Sequence, residues 1–416
     1  MKIQHRNLRF SILPVVLASV FFLFFACRKE NPVPDPVPGV TYEYIKTYDL
    51  PKLNNILNAE LERYLAASTM HFSDFQGQLA VPEYPVKLYR VVYPSVIPER
   101  NRPTMASGLV AIPDNGSDSM PVISYQHGTI ASRYYCPSIP DSSMEIRLMI
   151  AQFASQGYIV IAPDYFGSGI STEPNAYFIK GSNDQACMDM LSASKQVCKE
   201  LKVKQGSLFL HGFSQGGHSS MSFLRELESR NIPVKAAATA AGCADIFATY
   251  NRWINNPQPD DATFLPGSVS NLIFAMEYYY QMPGLSASAI LPKYYQASTE
   301  LYQWKMDWTT FLTTTSTKVS DILQPGFMGA ANPVNKHFWQ ILDQNEAYRW
   351  HCQTPLTLYY GEADPVLSVF LATLAVDYQN QIGCSATVSE TAGPLADHGA
   401  TYVYSLIHAK SWFDGF

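Results

Sequence analysis

Residues 208–220 read LFLHGFSQGGHSS, an apolar run that stops abruptly at a serine set among glycines. The run extends back to Gly206, and residues 206–211 have the length and composition of a buried strand. Beyond the serine, QGGHSSMSFLRELES over 215–229 has helical periodicity, with Arg225 and Arg230 near its end. Gly212-Phe213-Ser214-Gln215-Gly216 thus joins strand to helix. That arrangement lifts a serine hydroxyl above the carboxyl edge of a sheet, and glycines flank it because so sharp an elbow leaves no room for side chains. The plainer reading is a glycine-rich turn whose serine does nothing.

A serine hydroxyl is a poor nucleophile until a neighbouring base takes its proton, and the base in turn needs an acid to orient it. Behind an elbow of this type the partners follow in the chain order nucleophile, acid, histidine. Leu358-Tyr-Tyr-Gly-Glu-Ala-Asp364 is a strand followed by a turn that offers Asp364, and 34 residues later Asp397-His398-Gly399 lies in a loop before the last helix. Asp364 and His398 are therefore the expected acid and base. Asp245 and Glu362 are competitors for the acid, whereas Asp397, adjacent to the histidine, is better suited to cap the final helix. His218 is one turn along the helix that carries the serine and faces away from it; His211 ends a strand and is expected to pack. His127, His337 and His351 remain possible pocket residues. The oxyanion needs two backbone donors: the amide of Gln215, and one from the loop Tyr125-Gln-His-Gly-Thr129, where Thr129 is the expected donor and Gly128 is expected to let the chain turn.

The surrounding pattern fits such a site. Short β-branched or aromatic runs alternate with helical stretches from residue 85 onward, which predicts a mostly parallel sheet covered on both faces. Eight strands are expected, at 86–94, 106–112, 121–126, 158–162, 206–211, 233–241, 355–360 and 385–389. Helices are expected at 143–156, 183–202, 215–229, 365–380 and 399–413, with another over 50–69 outside the sheet. The first two strands have no helix between them and should form an antiparallel hairpin at one edge. Residues 245–350 break the rhythm: no convincing strand is present, and Trp253, Phe274, Tyr278, Tyr279, Tyr280, Trp304, Trp308, Phe311, Phe338 and Trp339 are crowded there. A structureless loop of that length is improbable in a compact domain, so an inserted, mainly helical cap is expected.

Taken in order, Gln126-His-Gly-Thr129, Ala162-Pro-Asp-Tyr-Phe-Gly-Ser-Gly169, Gly212-Phe-Ser-Gln-Gly216, Gly361-Glu-Ala-Asp364 and Asp397-His-Gly399 resemble the α/β-hydrolase superfamily over residues 86–416. Within it, Tyr89-Arg-Val-Val-Tyr93, Ala106-Ser-Gly-Leu-Val-Ala-Ile-Pro113 and the bulky cap are similar to the secretory lipase and esterase group typified by fungal lipase A. The resemblance implies a serine carboxylesterase or lipase with no cofactor, acting on small-molecule or lipid esters. Gln215 departs from the Gly-Tyr-Ser-Gly-Gly elbow common in that group and matches the form seen in many carboxylesterases. A serine peptidase of the same superfamily, or a surface lipoprotein that keeps the fold only to bind, are the competing readings.

Charged residues are only 15% of the chain and the net charge of −6 is not gathered into blocks, so no nucleic-acid footprint is visible. Lys2, Arg6 and Arg9 precede an apolar run from Phe10 to Ala26, the layout of a secretory leader. Leu23-Phe-Phe-Ala-Cys27 resembles the lipobox of bacterial lipoproteins, with Cys27 as the lipidated residue; an ordinary cleaved leader or an uncleaved anchor are the alternatives. Residues 1–27 are thus read as leader, 28–40 as a proline-rich extended tether, and 41–416 as the hydrolase domain, placed outside the cytoplasm. No spacing of cysteines or histidines suggests a metal. Cys187 and Cys198 lie eleven residues apart on one expected helix, roughly 16 Å along its axis, too far for a disulfide. Cys352 and Cys384 are the pair to test first.

Overall fold

In the computed structural model, which describes residues 39–327 and 333–416, the alternating runs become a nine-stranded sheet. Its strands are β1 (Thr41–Tyr48), β2 (Val86–Ile97), β3 (Arg102–Pro113), β4 (Ser119–Gln126), β5 (Ile159–Pro163), β6 (Lys204–Phe213), β7 (Ala236–Ala240), β8 (Leu356–Tyr360) and β9 (Thr387–Thr391). They lie in the order β1-β2-β3-β5-β4-β6-β7-β8-β9. β5, β4, β6, β7, β8 and β9 run parallel; β1, β2 and β3 form an antiparallel wing attached through β3 to β5. The parallel strands are covered on both faces, which explains runs such as Ala236–Ala240 in which every residue is buried.

All eight expected strands are present. The ninth, β1, pairs along β2, so the predicted hairpin of β2 and β3 exists but is not at the sheet edge. A bulge between Tyr44 and Lys46 breaks the two-residue alternation of β1, and most of its residues are exposed. The pattern that reveals a half-buried strand is therefore missing there.

Helices Lys180–Glu200, Gln215–Ser229 and Val369–Gln381 close one face, contributing Met190, Leu224 and Leu371 to a core shared with the helical insertion. Met144–Gln152, His398–Phe413 and the helical segment after β1 close the other, with Leu53, Met149 and Leu406 in its core. That segment runs through Leu50–Asn55, a π-helical turn at Ile56–Glu60 and Leu61–Tyr64. The leader, Cys27 and nearly all of the tether lie outside the described residues. Among the described residues, no helix is long and apolar enough to cross a membrane.

Between β7 and β8 stand extra helices consistent with a cap, among them Ile246–Asn255, Leu265–Tyr279, Pro292–Tyr302 and Pro333–Gln344. Its aromatic residues dock it through polar tips. Tyr279 Oη donates to the Pro174 carbonyl at 2.7 Å, Tyr302 Oη to that of Asn175 at 3.1 Å, and Trp304 Nε1 to that of Gly167 at 3.1 Å. All three acceptors are in the segment after β5.

Candidate active site

Ser214 follows β6 directly and is the N-cap of helix Gln215–Ser229, with φ 53° and ψ −116°. A non-glycine residue held there is strained, and such strain persists only where the surroundings enforce it. Here the Ser214 amide donates to the Ala240 carbonyl at 2.8 Å, while the Gly217 amide donates to the Ser214 carbonyl at 2.9 Å. The flanking glycines are sterically required: a Cβ on Gly212 would stand 2.2 Å from the Gly216 carbonyl oxygen, and one on Gly216 would stand 1.8 Å from the Gln126 carbonyl oxygen. Both obstacles are backbone. Gly216→Ala is accordingly expected to abolish soluble folded protein or lower the melting temperature by about 4 °C or more, on the order of 3 kcal/mol or more for a domain of this size. Thermal unfolding followed by circular dichroism checks it.

Asp364 and His398 meet. The His398 ring, whose Nδ1 lies 2.8 Å from Asp364 Oδ2, is carried by the first residue of helix His398–Phe413 rather than by the preceding loop. The other carboxylate oxygen, Oδ1, accepts from the amides of Val366 at 2.8 Å and Leu367 at 3.1 Å. The Asp364 side chain is only 1% exposed, against 17% for His398, so the carboxylate is enclosed while the imidazole keeps some exposure. Phe213, next to the serine, packs at a tilt against the histidine with ring centroids 4.9 Å apart.

The competing residues are engaged elsewhere. Asp245 caps helix Ile246–Asn255 through the Ala248 amide and also holds Tyr348 and Arg349. Glu362 accepts from Thr391. Asp397 caps the last helix through Ala400 and accepts from Ser68 and Thr69, tying the end of the N-terminal helical segment to the histidine. His218 donates from Nε2 to the Asn345 carbonyl at 2.7 Å, and burial pulls its pKa down to about 4. His211 contacts Ser405 and is pulled down by burial to about 3. Both are neutral core residues. His127 is packed on Tyr165, with ring centroids 4.3 Å apart, and its two ring nitrogens meet the carbonyls of Gly128 and Asp164.

Thr129 and Ser214 line one narrow cavity with Tyr177, Phe178, Trp253, Phe264, Val366 and Leu367 among its walls. Two cap aromatics, Trp253 and Phe264, thus reach the site, whereas Trp308 packs against Gly267. Thr129 Oγ1 lies 3.0 Å from Tyr177 Oη. Gly128 has an ordinary φ, unlike the positive-φ glycines, so freedom to turn is not its reason. A Cβ there would lie 3.0 Å from Phe213 Cδ1 and 3.3 Å from Glu145 Oε2: Gly128 is small to allow close packing. Sequence reading missed Tyr177, Phe178, Val366 and Leu367, which carry no motif; the last two follow Asp364 by two and three residues. All six cysteines among the described residues are free and buried. Cys352 and Cys384 are nonetheless neighbours, with Cys384 Sγ 2.7 Å from the Cys352 carbonyl oxygen.

Ser214 after β6, Asp364 after β8, His398 after β9 and the loop to Thr129 after β4 all stand at the carboxyl end of the sheet, in an α/β-hydrolase fold. Comparisons with known proteins agree. A candidate hydrolase from Legionella pneumophila superposes with a TM-score of 0.78 at 21% identity, covering 91% of this chain and 97% of the other. A ligand-bound form of the rice cell wall degrading esterase LipA from Xanthomonas oryzae gives 0.73 at 23% identity, covering 89% and 95%. Candida antarctica lipase A gives 0.64 at 15% identity, covering 79% and 78%. The prolyl oligopeptidase family model matches residues 144–263. No curated protein sequence matches the chain.

Proposed function

We propose that the chain is a serine hydrolase of carboxylic esters. The observation that carries this reading is the Asp364–His398 hydrogen bond at the carboxyl edge where the strained Ser214 stands. Ser214 Oγ attacks the ester carbonyl as His398 accepts its proton. His398 then returns that proton to the departing alcohol, and water releases the acyl group by the same steps in reverse. Asp364 holds His398 with Nδ1 protonated, so that Nε2 is the basic nitrogen. The amide of Gln215, a first-turn donor without an intrahelical partner, and the amide of Thr129 receive the oxyanion. Trp253, Phe264 and Phe178 give the acyl or alcohol side an apolar wall.

In this reading 41–416 is one hydrolase domain whose cap spans about 245–350. Residues 1–27 direct export, Cys27 carries the lipid and 28–40 tether the enzyme outside the cytoplasm. The likeness to an esterase described as rice cell wall degrading supports this placement. The match to the prolyl oligopeptidase model favours a second reading, a peptidase. Matched nitrophenyl esters and nitroanilides of the same acyl group separate the two: the ester reading expects turnover of the esters alone, and comparable kcat/KM on the anilides would replace it with the peptidase.

A further inference from the structure

Behind the cavity is a carboxylate that the mechanism above does not use. Glu145 lies in the first turn of helix Met144–Gln152. Its Oε1 accepts the Gly128 amide at 2.8 Å and also the Tyr125 hydroxyl, so it clasps the strand end and the loop that follow one another into Thr129. The Gly128 amide is thereby committed. The next amide, that of Thr129, makes no hydrogen bond among the described residues. The clasp is tight, because Glu145 Oε2 stands 3.3 Å, and Phe213 Cδ1 3.0 Å, from where a Cβ on Gly128 would be. The Glu145 carbonyl accepts from Tyr402 at 2.8 Å, which joins the same turn to the helix that begins with His398. Burial raises the Glu145 carboxyl above the usual carboxylate range, while His127, Tyr125, the Gly128 amide and His398 act in the opposite direction.

We propose that Glu145 is a positioning residue of the oxyanion site: by accepting the Gly128 amide it fixes the loop so that the Thr129 amide is left to bind the developing oxyanion. The inference rests on the esterase reading. Its chemistry requires an acceptor at the end of a side chain of this length, and a charge is not required. Preorganised donors act on the tetrahedral state far more than on the planar ester, so the role has a signature that packing alone lacks.

Two conservative variants separate reach from charge. Glu145→Gln keeps an oxygen within reach of Gly128 and Tyr125. Glu145→Asp keeps the charge but draws the carboxylate back by one methylene. With a short nitrophenyl ester, E145Q is expected to stay within about fivefold of the parent, and E145D to lose about 10²-fold in kcat with KM within threefold. The affinity of E145D for an alkyl boronic acid, which forms a tetrahedral adduct, should fall in step with kcat. The reverse ranking of the two variants, equal losses in both, or a loss confined to KM overturns the proposal. Labelling of Ser214 by a fluorophosphonate in the parent protein keeps the two claims apart: an unlabelled parent overturns the esterase reading itself, whereas a labelled parent with an unimpaired E145D overturns only the role of Glu145.

Discussion

Ser214→Ala is expected to lower kcat for a short nitrophenyl ester by about 10⁴-fold or more, down to what the oxyanion donors and the binding wall supply without a nucleophile. The protein should remain folded. The Ser214 side chain makes no capping hydrogen bond, and the positive φ is enforced by backbone contacts that alanine retains. Unchanged thermal unfolding with lost turnover is therefore the expected pair of results. Loss of both would mean that the residue serves the fold.

Asp364→Asn is the second large effect, and the geometry dictates its direction. Oδ1 of Asp364 receives the Val366 and Leu367 amides, so an asparagine places its carbonyl oxygen there and turns its NH₂ group toward His398. The imidazole then accepts at Nδ1 and carries its proton on Nε2, the tautomer that cannot take a proton from Ser214. A loss of about 10⁴-fold in kcat is expected, with little loss of stability because both amide bonds survive. Glu362→Gln, two residues away and bonded to Thr391, should change kcat less than about twofold. Steady-state kinetics on the two variants side by side check the assignment of the acid; equal effects would contradict it.

Much of the molecule was legible because its signals are local. A strand buried on both faces is a short apolar run, a helix repeats every three to four residues, and the elbow needs glycine where the backbone of β4 comes within contact distance. Asp364 and His398 were readable through chain order, since each strand end delivers one loop to the same edge. Where the pattern is interrupted, legibility stops. The bulge in β1 removed its alternation. Glu145 looks, in sequence, like any acidic residue in the first turn of a helix after the N-cap Ser143, and only the packing of that turn under Gly128 gives it another partner. The cap is similar: its aromatic residues were visible, but which of them dock on the loop after β5 depends on contacts more than a hundred residues apart in sequence.

The proposed mechanism requires Ser214 to become covalently acylated. Peptide mass spectrometry of the protein quenched during turnover of a nitrophenyl ester tests it most directly. One acyl group per chain is expected, on the peptide that contains Ser214, and none in Ser214→Ala. Turnover without any adduct, an acyl group on another side chain, or undiminished hydrolysis by Ser214→Ala would contradict it.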